Sequence, residues 1–232
     1  MTDDGTFTLQ LASAPTLQVT TAAILNSTGS TITVNYSTLT GNQPKANKNC
    51  VGVWQAQTVP FGFPPEVDPP QQLSFNNPVG SEGLGGLSLG PCLTYVIGLS
   101  LGPIQWTTKP FSVPICATAT VDGDGTPHEG ESLSIGISPG SLQSSSVVVS
   151  YKSPSGFLPA MFNSWIGLYE GHGVVPFSPL YDPDLKVNVP GNSNETDVPV
   201  NYEFKRSSPY TLVGFAGPAT TTAAAILQFE TA

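Results

Sequence analysis

Ile32-Thr33-Val34-Asn35-Tyr36 and Val147-Val148-Val149-Ser150-Tyr151 decide how this chain folds. In the first run Ile32, Val34 and Tyr36 alternate with Thr33 and Asn35. In the second, Val147, Val149 and Tyr151 alternate with Val148 and Ser150. A strand points successive side chains to opposite faces, so this alternation marks strands with one buried face. The two runs stand 115 positions apart, and the spacing recurs outward from them. Val51-Gly52-Val53-Trp54 matches Ile166-Gly167-Leu168-Tyr169, and Val59-Pro60-Phe61 matches Val175-Pro176-Phe177. Leu87, Leu89 and Tyr95 match Tyr202, Phe204 and Tyr210; Gly98 and Pro103 match Gly214 and Pro218; Leu17 and Val19 match Leu133 and Ile135. The offset stays at 115 or 116 throughout. Ordered matches at one period read as an internal duplication.

The rest of the chain agrees with short strands. Its 24 Gly and 23 Pro punctuate runs such as Tyr95-Val96-Ile97 and Tyr210-Thr211-Leu212-Val213, and no segment keeps a capped helical period. A length of 232 residues suits two domains, each large enough to bury a core of its own. The expected fold is all-β: two tandem antiparallel β-sandwiches of about seven strands each. Residues 1–121 form copy one, 122–130 a Gly-rich polar linker, and 131–232 copy two. Ile32, Val34, Val51, Val53, Val147, Val149, Ile166 and Leu168 are expected to face inward.

A resemblance sits on these strands. Ser164-Trp165-Ile166-Gly167-Leu168-Tyr169, preceded by Val147–Tyr151 and followed by Tyr210-Thr211-Leu212-Val213-Gly214, resembles the SKICH-type immunoglobulin-like sandwich and its bacterial and fungal relatives. Copy one departs from it, with Cys50 where Trp165 stands. The likeness covers about half of each copy and only core strands. It implies an immunoglobulin-like fold and a non-catalytic role in localisation or partner binding. It transfers no activity, because function lives in sites and not in folds.

Charge narrows the function classes. Sixteen acids against seven Lys and Arg give a net charge of −9, so nucleic acid and anionic membrane surfaces are not expected partners. Arg206 is the sole arginine, which excludes a multi-arginine phosphate clamp. No apolar stretch is long enough to span a membrane. Met1-Thr2-Asp3-Asp4 has neither a basic nor an apolar signal region, so the chain is expected in the cytoplasm, or exported without a recognisable signal peptide. Cys50, Cys92 and Cys116 all lie in copy one. They read as buried free thiols, with a Cys50–Cys92 bridge as the alternative, and no C-x-x-C spacing suggests zinc.

No catalytic or cofactor signature emerges, and the chain is expected not to be an enzyme. His172 follows the central strand of copy two at a glycine turn, but no G-x-S-x-G elbow accompanies it. Asp122, Asp124 and Glu129 are a weak cation candidate; counted from Asp122, the positions that need Gly and Glu in a calcium loop hold Pro127 and Leu133. The acids Asp182, Asp184, Glu195 and Asp197 read as solvated loop charge. Gln55–Gly86 and Glu170–Asn201 read as long Pro-rich insertions, which are functional or edge-covering in compact domains. Phe61 and Phe177 are read as their packing anchors, and Asn76 and Asp182 as tip residues that carry little stability. Trp54, Phe63, Phe75, Trp106, His172, Tyr181 and Asp182 are the candidate binding residues. The leading reading is an interaction or self-assembly module that presents these loops to a protein partner or to another copy. The alternative is a carbohydrate-binding protein taking a neutral glycan on loop aromatics.

Overall fold

The computed structural model describes residues 7–24, 29–59, 70–105, 113–178 and 181–232. Strands β1 to β9 are Phe7–Ser13, Thr16–Ala23, Ser30–Ser37, Cys50–Trp54, Gln71–Gln72, Val79–Leu87, Tyr95–Ser100, Ile115–Val121 and Pro127–Ser132. Strands β10 to β16 are Ser134–Ile137, Ser146–Lys152, Trp165–Glu170, Leu185–Asn188, Glu195–Asn201, Pro209–Phe215 and Ala223–Thr231. A single 3-10 turn, Thr220–Thr222, precedes β16, and the described residues contain no α-helix. The protein is all-β, and every strand pairing is antiparallel.

Four sheets make two sandwiches. In the first, β2-β3-β6 covers β5-β4-β7-β8-β9; in the second, β10-β11-β14 covers β1-β16-β15-β12-β13. The order of β2-β3-β6 is that of β10-β11-β14, and β5-β4-β7-β8 runs as β13-β12-β15-β16 does. On β3 Ile32, Val34 and Tyr36 are buried, and on β11 so are Val147, Val149 and Tyr151. Val51, Val53, Ile166 and Leu168 are buried on the two central strands, as their alternation requires.

The central strands are buried on both faces, and their glycines explain how. Gly52 and Gly98 are cross-strand partners on β4 and β7. A Cβ on Gly52 would lie 2.6 Å from Trp54 Cη2, and one on Gly98 would lie 2.9 Å from Trp54 Cζ3. The fully buried indole therefore lies flat on a floor that only glycine leaves open. In the second half Trp165 stacks on its register partner Phe215 at 3.6 Å and 5°, with Lys186 Nζ 4.3 Å from the indole centroid. A Cβ on Gly167 would lie 3.0 Å from Trp165 Cζ3.

The segments read as long insertions contain strands. β5 and all of β6 but Leu87 lie within Gln55–Gly86, and β13 and β14 within Glu170–Asn201. In β6, four glycines leave only Leu84 and Leu87 as apolar inward residues, so the alternation is hard to see. The third inward residue is Glu82, buried but served by three donors: Gln71 Nε2 at 3.2 Å, Ser74 N at 2.9 Å and Ser74 Oγ at 2.9 Å. Such satisfaction is what makes a buried carboxylate tolerable. β14 carries Pro199, which an edge strand can hold because one side of its ladder is unpaired.

The stretch read as a linker is a hairpin. Asp122–Thr126 turns the chain, and Pro127–Ser132 returns as β9 along β8. β9 then enters β10 of the other sandwich. β1 does the converse, pairing with β16 before its chain enters β2 of the first sandwich. Each sandwich thus lends its leading strand to the other. Loop contacts are reciprocal too. Gly41 of the first half faces Val175 and Phe177, and Gly156 of the second lies against Val59. Leu39 joins Trp165, Tyr169, Val213 and Phe215 in one cluster on the outer face of the second sheet. Apart from that cluster, buried apolar residues of both halves form one continuous core.

Gly98→Ala forces its methyl into the Trp54 ring, whereas Gly83→Ala meets nothing within 4 Å. Urea unfolding should show Gly98→Ala less stable by about 1–3 kcal/mol, and Gly83→Ala within ~0.5 kcal/mol of the parent.

Candidate functional site

The candidate residues do not converge on one cleft. Trp54 is buried with no exposed surface, so it is not available as a binding platform; the small Gly52 and Gly98 drew it into the packing. Phe63, Trp106 and the anchor Phe61 lie outside the described residues. Phe177 is half-buried against the cluster around Trp165, consistent with a packing residue. Phe75 stands out at 62% exposure, and Val79 at 64%. The backbone around Phe75 and Asn76 is held: Lys45 N donates to Phe75 O at 3.1 Å, and Ala46 N to Asn76 Oδ1 at 2.8 Å. Asn76 is thus a brace as well as a tip residue.

After β12, Tyr181 and Asp182 are exposed. The nearby Tyr169 hydroxyl is pushed up to about 12, first by burial and then by the carboxylates of Asp182 and Asp184. His172 sits between Gly171 and Gly173, both at positive φ, which lets the chain turn there. Its Nε2 lies 3.3 Å from Phe229 O, a contact that ties the turn to β16. That is the role of a turn residue. A catalytic base is instead oriented by a second side chain toward a nucleophile.

Asp122 and Asp124 are engaged inside their hairpin. Asp122 Oδ2 is 2.8 Å from His128 Nε2, and Thr94 Oγ1 donates to Oδ1 at 3.0 Å. Hydrogen bonds from His128 and then Thr94 hold the Asp122 carboxyl below the usual carboxylate range. Asp124 accepts from Thr126 N at 2.8 Å. Glu129 stands on β9 opposite Ala119. These carboxylates shape a turn, and among the described residues no group of three His, Cys, Asp or Glu is placed to hold a metal ion.

Two polar assemblies escaped the sequence reading. Glu170 accepts from Tyr202 Oη at 2.6 Å and from Lys205 Nζ at 2.7 Å. Lys205 and then Tyr202 hold its carboxyl below its ordinary value. These partners lie more than thirty positions away, and nothing local in the sequence joins them. The second is an open groove of about 490 Å³ on the outer face of β10-β11-β14. One rung is Ser134, Lys152 and Glu195, and the next is Gly136, Ser150 and Asp197. Lys152 Nζ and Glu195 Oε1 are 2.9 Å apart. The small residues Ser134, Gly136 and Ser150 make the concavity, and their alternation was its only sequence signal. The groove offers hydroxyls, carboxylates and one ammonium, a set that hydrogen-bonds polar ligands.

No family model matches the chain, and no curated protein matches it.

The three thiols differ in access. Cys50 and Cys116 are buried and Cys92 is exposed; none is bridged. Burial raises the Cys50 thiol to about 11 and Cys116 further still. Thiolate is the reactive form. A chromogenic thiol reagent should therefore titrate one group rapidly in the native protein and three after denaturation. Loss of the fast phase in Cys92→Ser would assign it, and three fast groups in the native state would contradict this burial.

Proposed function

We propose that this chain is a non-catalytic interaction or self-assembly protein that meets a protein partner through exposed apolar side chains on otherwise polar loops. One observation carries the reading: Phe75 at 62% and Val79 at 64% are the most exposed large hydrophobic residues among those described, four positions apart on a segment held by hydrogen bonds to Lys45 and Ala46. Large aromatics held out of a core by a braced backbone lose little entropy on binding. In the second half Tyr181 at 42% and Val175 at 41% are also exposed. A charge-poor surface, with only 10% charged residues, favours desolvation of such tips. The resemblance of the Trp165 strand to SKICH-type modules points the same way. The duplication reading is supported by the matching strand orders of the two sandwiches.

A second reading has its own observation. The groove over Ser134, Gly136, Ser150 and Asp197 presents hydroxyls and carboxylates in two rungs, and such groups suit a neutral glycan. A glycan array on the full chain separates the two. The interaction reading expects a silent array, and expects no turnover on ester, glycoside and phosphate panels by the parent or by His172→Ala. Saturable glycan binding that disappears when Gly136→Val fills the groove would establish the lectin instead.

A further inference from the structure

We infer that the free edge of β1 pairs with β1 of a second copy, antiparallel across a two-fold axis, joining two five-stranded sheets into one. This rests on the reading of the chain as an interaction or self-assembly protein and supplies the surface and the partner. Strand edges expose unpaired backbone groups, and proteins blunt them with shortness, charge, proline, bulges or cover. The other edges here use those devices. β5 has two residues, β13 four including Lys186, and β10 four. β14 carries Glu195, Asp197 and Pro199. On β6, Gln71 Nε2 caps the Gly83 carbonyl at 3.0 Å. β2 is packed alongside β9, with Gly125 against the Ala22 carbonyl.

The sharpest contrast is between the two exchanged strands. β9 occupies on β8 the place that β1 occupies on β16, and β9 reads Pro127-His128-Glu129-Gly130-Glu131-Ser132. β1 reads Phe7-Thr8-Leu9-Gln10-Leu11-Ala12-Ser13: seven residues with no charge and no proline. All but Phe7 are exposed, with Leu9 at 52% and Leu11 at 48%. Phe7 alone leans on the core, edge-on to Phe229 at 6.2 Å. The one blunting feature is the bulge at Gln10.

A second copy fits this edge. Aligned antiparallel about Gln10, each Leu9 faces the partner's Leu11 and each Thr8 the partner's Ala12. No charge meets a like charge. Elsewhere two chains of net charge −9 repel, so the uncharged strand is where they approach at least cost. A two-fold pairing is isologous and closes on itself, so assembly stops at a dimer.

Sedimentation velocity of the full chain, from low micromolar to millimolar, tests this against two variants whose melting is checked first. Leu9→Lys/Leu11→Lys puts four ammonium groups at the paired edge; Phe75→Ser/Val79→Ser removes the apolar tip. The expected result is a parent that reaches twice the 24.2 kDa of one chain, a monomeric edge variant with unchanged melting, and a tip variant that still dimerises. Amide exchange over 7–13 in the parent should slow as concentration rises, which holds even if the edge variant fails to fold. A dimer that survives the edge lysines overturns the β1 pairing while leaving self-assembly standing. A parent monomeric throughout, with exchange over 7–13 independent of concentration, overturns the pairing and self-assembly together.

Discussion

The structure depends on a reciprocal exchange of leading strands. β1 lies on β16 and β9 lies on β8, so each sandwich completes a sheet with backbone from the other. Backbone amides and carbonyls need partners wherever they leave water; β1 finds them at the far end of the chain on β16, and β9 finds them on β8 across the Asp122–Thr126 turn. The crossings are short. Ala14 and Pro15 separate β1 from β2, and Leu133 alone separates β9 from β10. Leu133 is fully buried and donates its N–H to Cys116 O at 2.7 Å, so the crossover itself is part of the core. Leu39 over Trp165 and Phe215, and Gly156 against Val59, follow from the same geometry.

That interlock decides where function can reside. Both faces of the central strands are filled, one by the facing sheet and the other by indoles, loops or the other half. The largest aromatics among the described residues are spent on packing: Trp54 on Gly52 and Gly98, Trp165 on Phe215. Among the described residues, what remains for partners is the perimeter: exposed Phe75 and Val79, the polar groove of β10-β11-β14 and the open edge of β1. The first and last are apolar places on a charge-poor, acidic molecule.

The strands with clean alternation were legible in the sequence. Ile32-Val34-Tyr36 and Val147-Val149-Tyr151 have one dry face and show it, and the flanking Gly and Pro mark the turns between them. β6 was not legible, because Gly80, Gly83, Gly85 and Gly86 erase the alternation and the buried inward residue is Glu82. β14 hid behind Pro199 and its acids. Trp54 looked like a platform because a tryptophan is informative only once its floor is known, and here two glycines on different strands make that floor. His172, Asp122 and Asp124 read first as turn residues, and their hydrogen bonds lie in turns. The strand exchange left no local mark at all. β9 has the Gly, Pro and charge of a linker, and β1 the pattern of an ordinary first strand; which sheet each joins is decided by contacts more than a hundred residues away for β1.

If the exchange governs stability, the halves cannot melt apart, since losing either sandwich strips a strand from the other. Differential scanning calorimetry of the full chain tests this most directly. The account predicts one transition, with the calorimetric enthalpy equal to the van't Hoff enthalpy, as for a single cooperative unit. Two resolved transitions, or a calorimetric enthalpy near twice the van't Hoff value, would show two sandwiches that unfold independently and would contradict it.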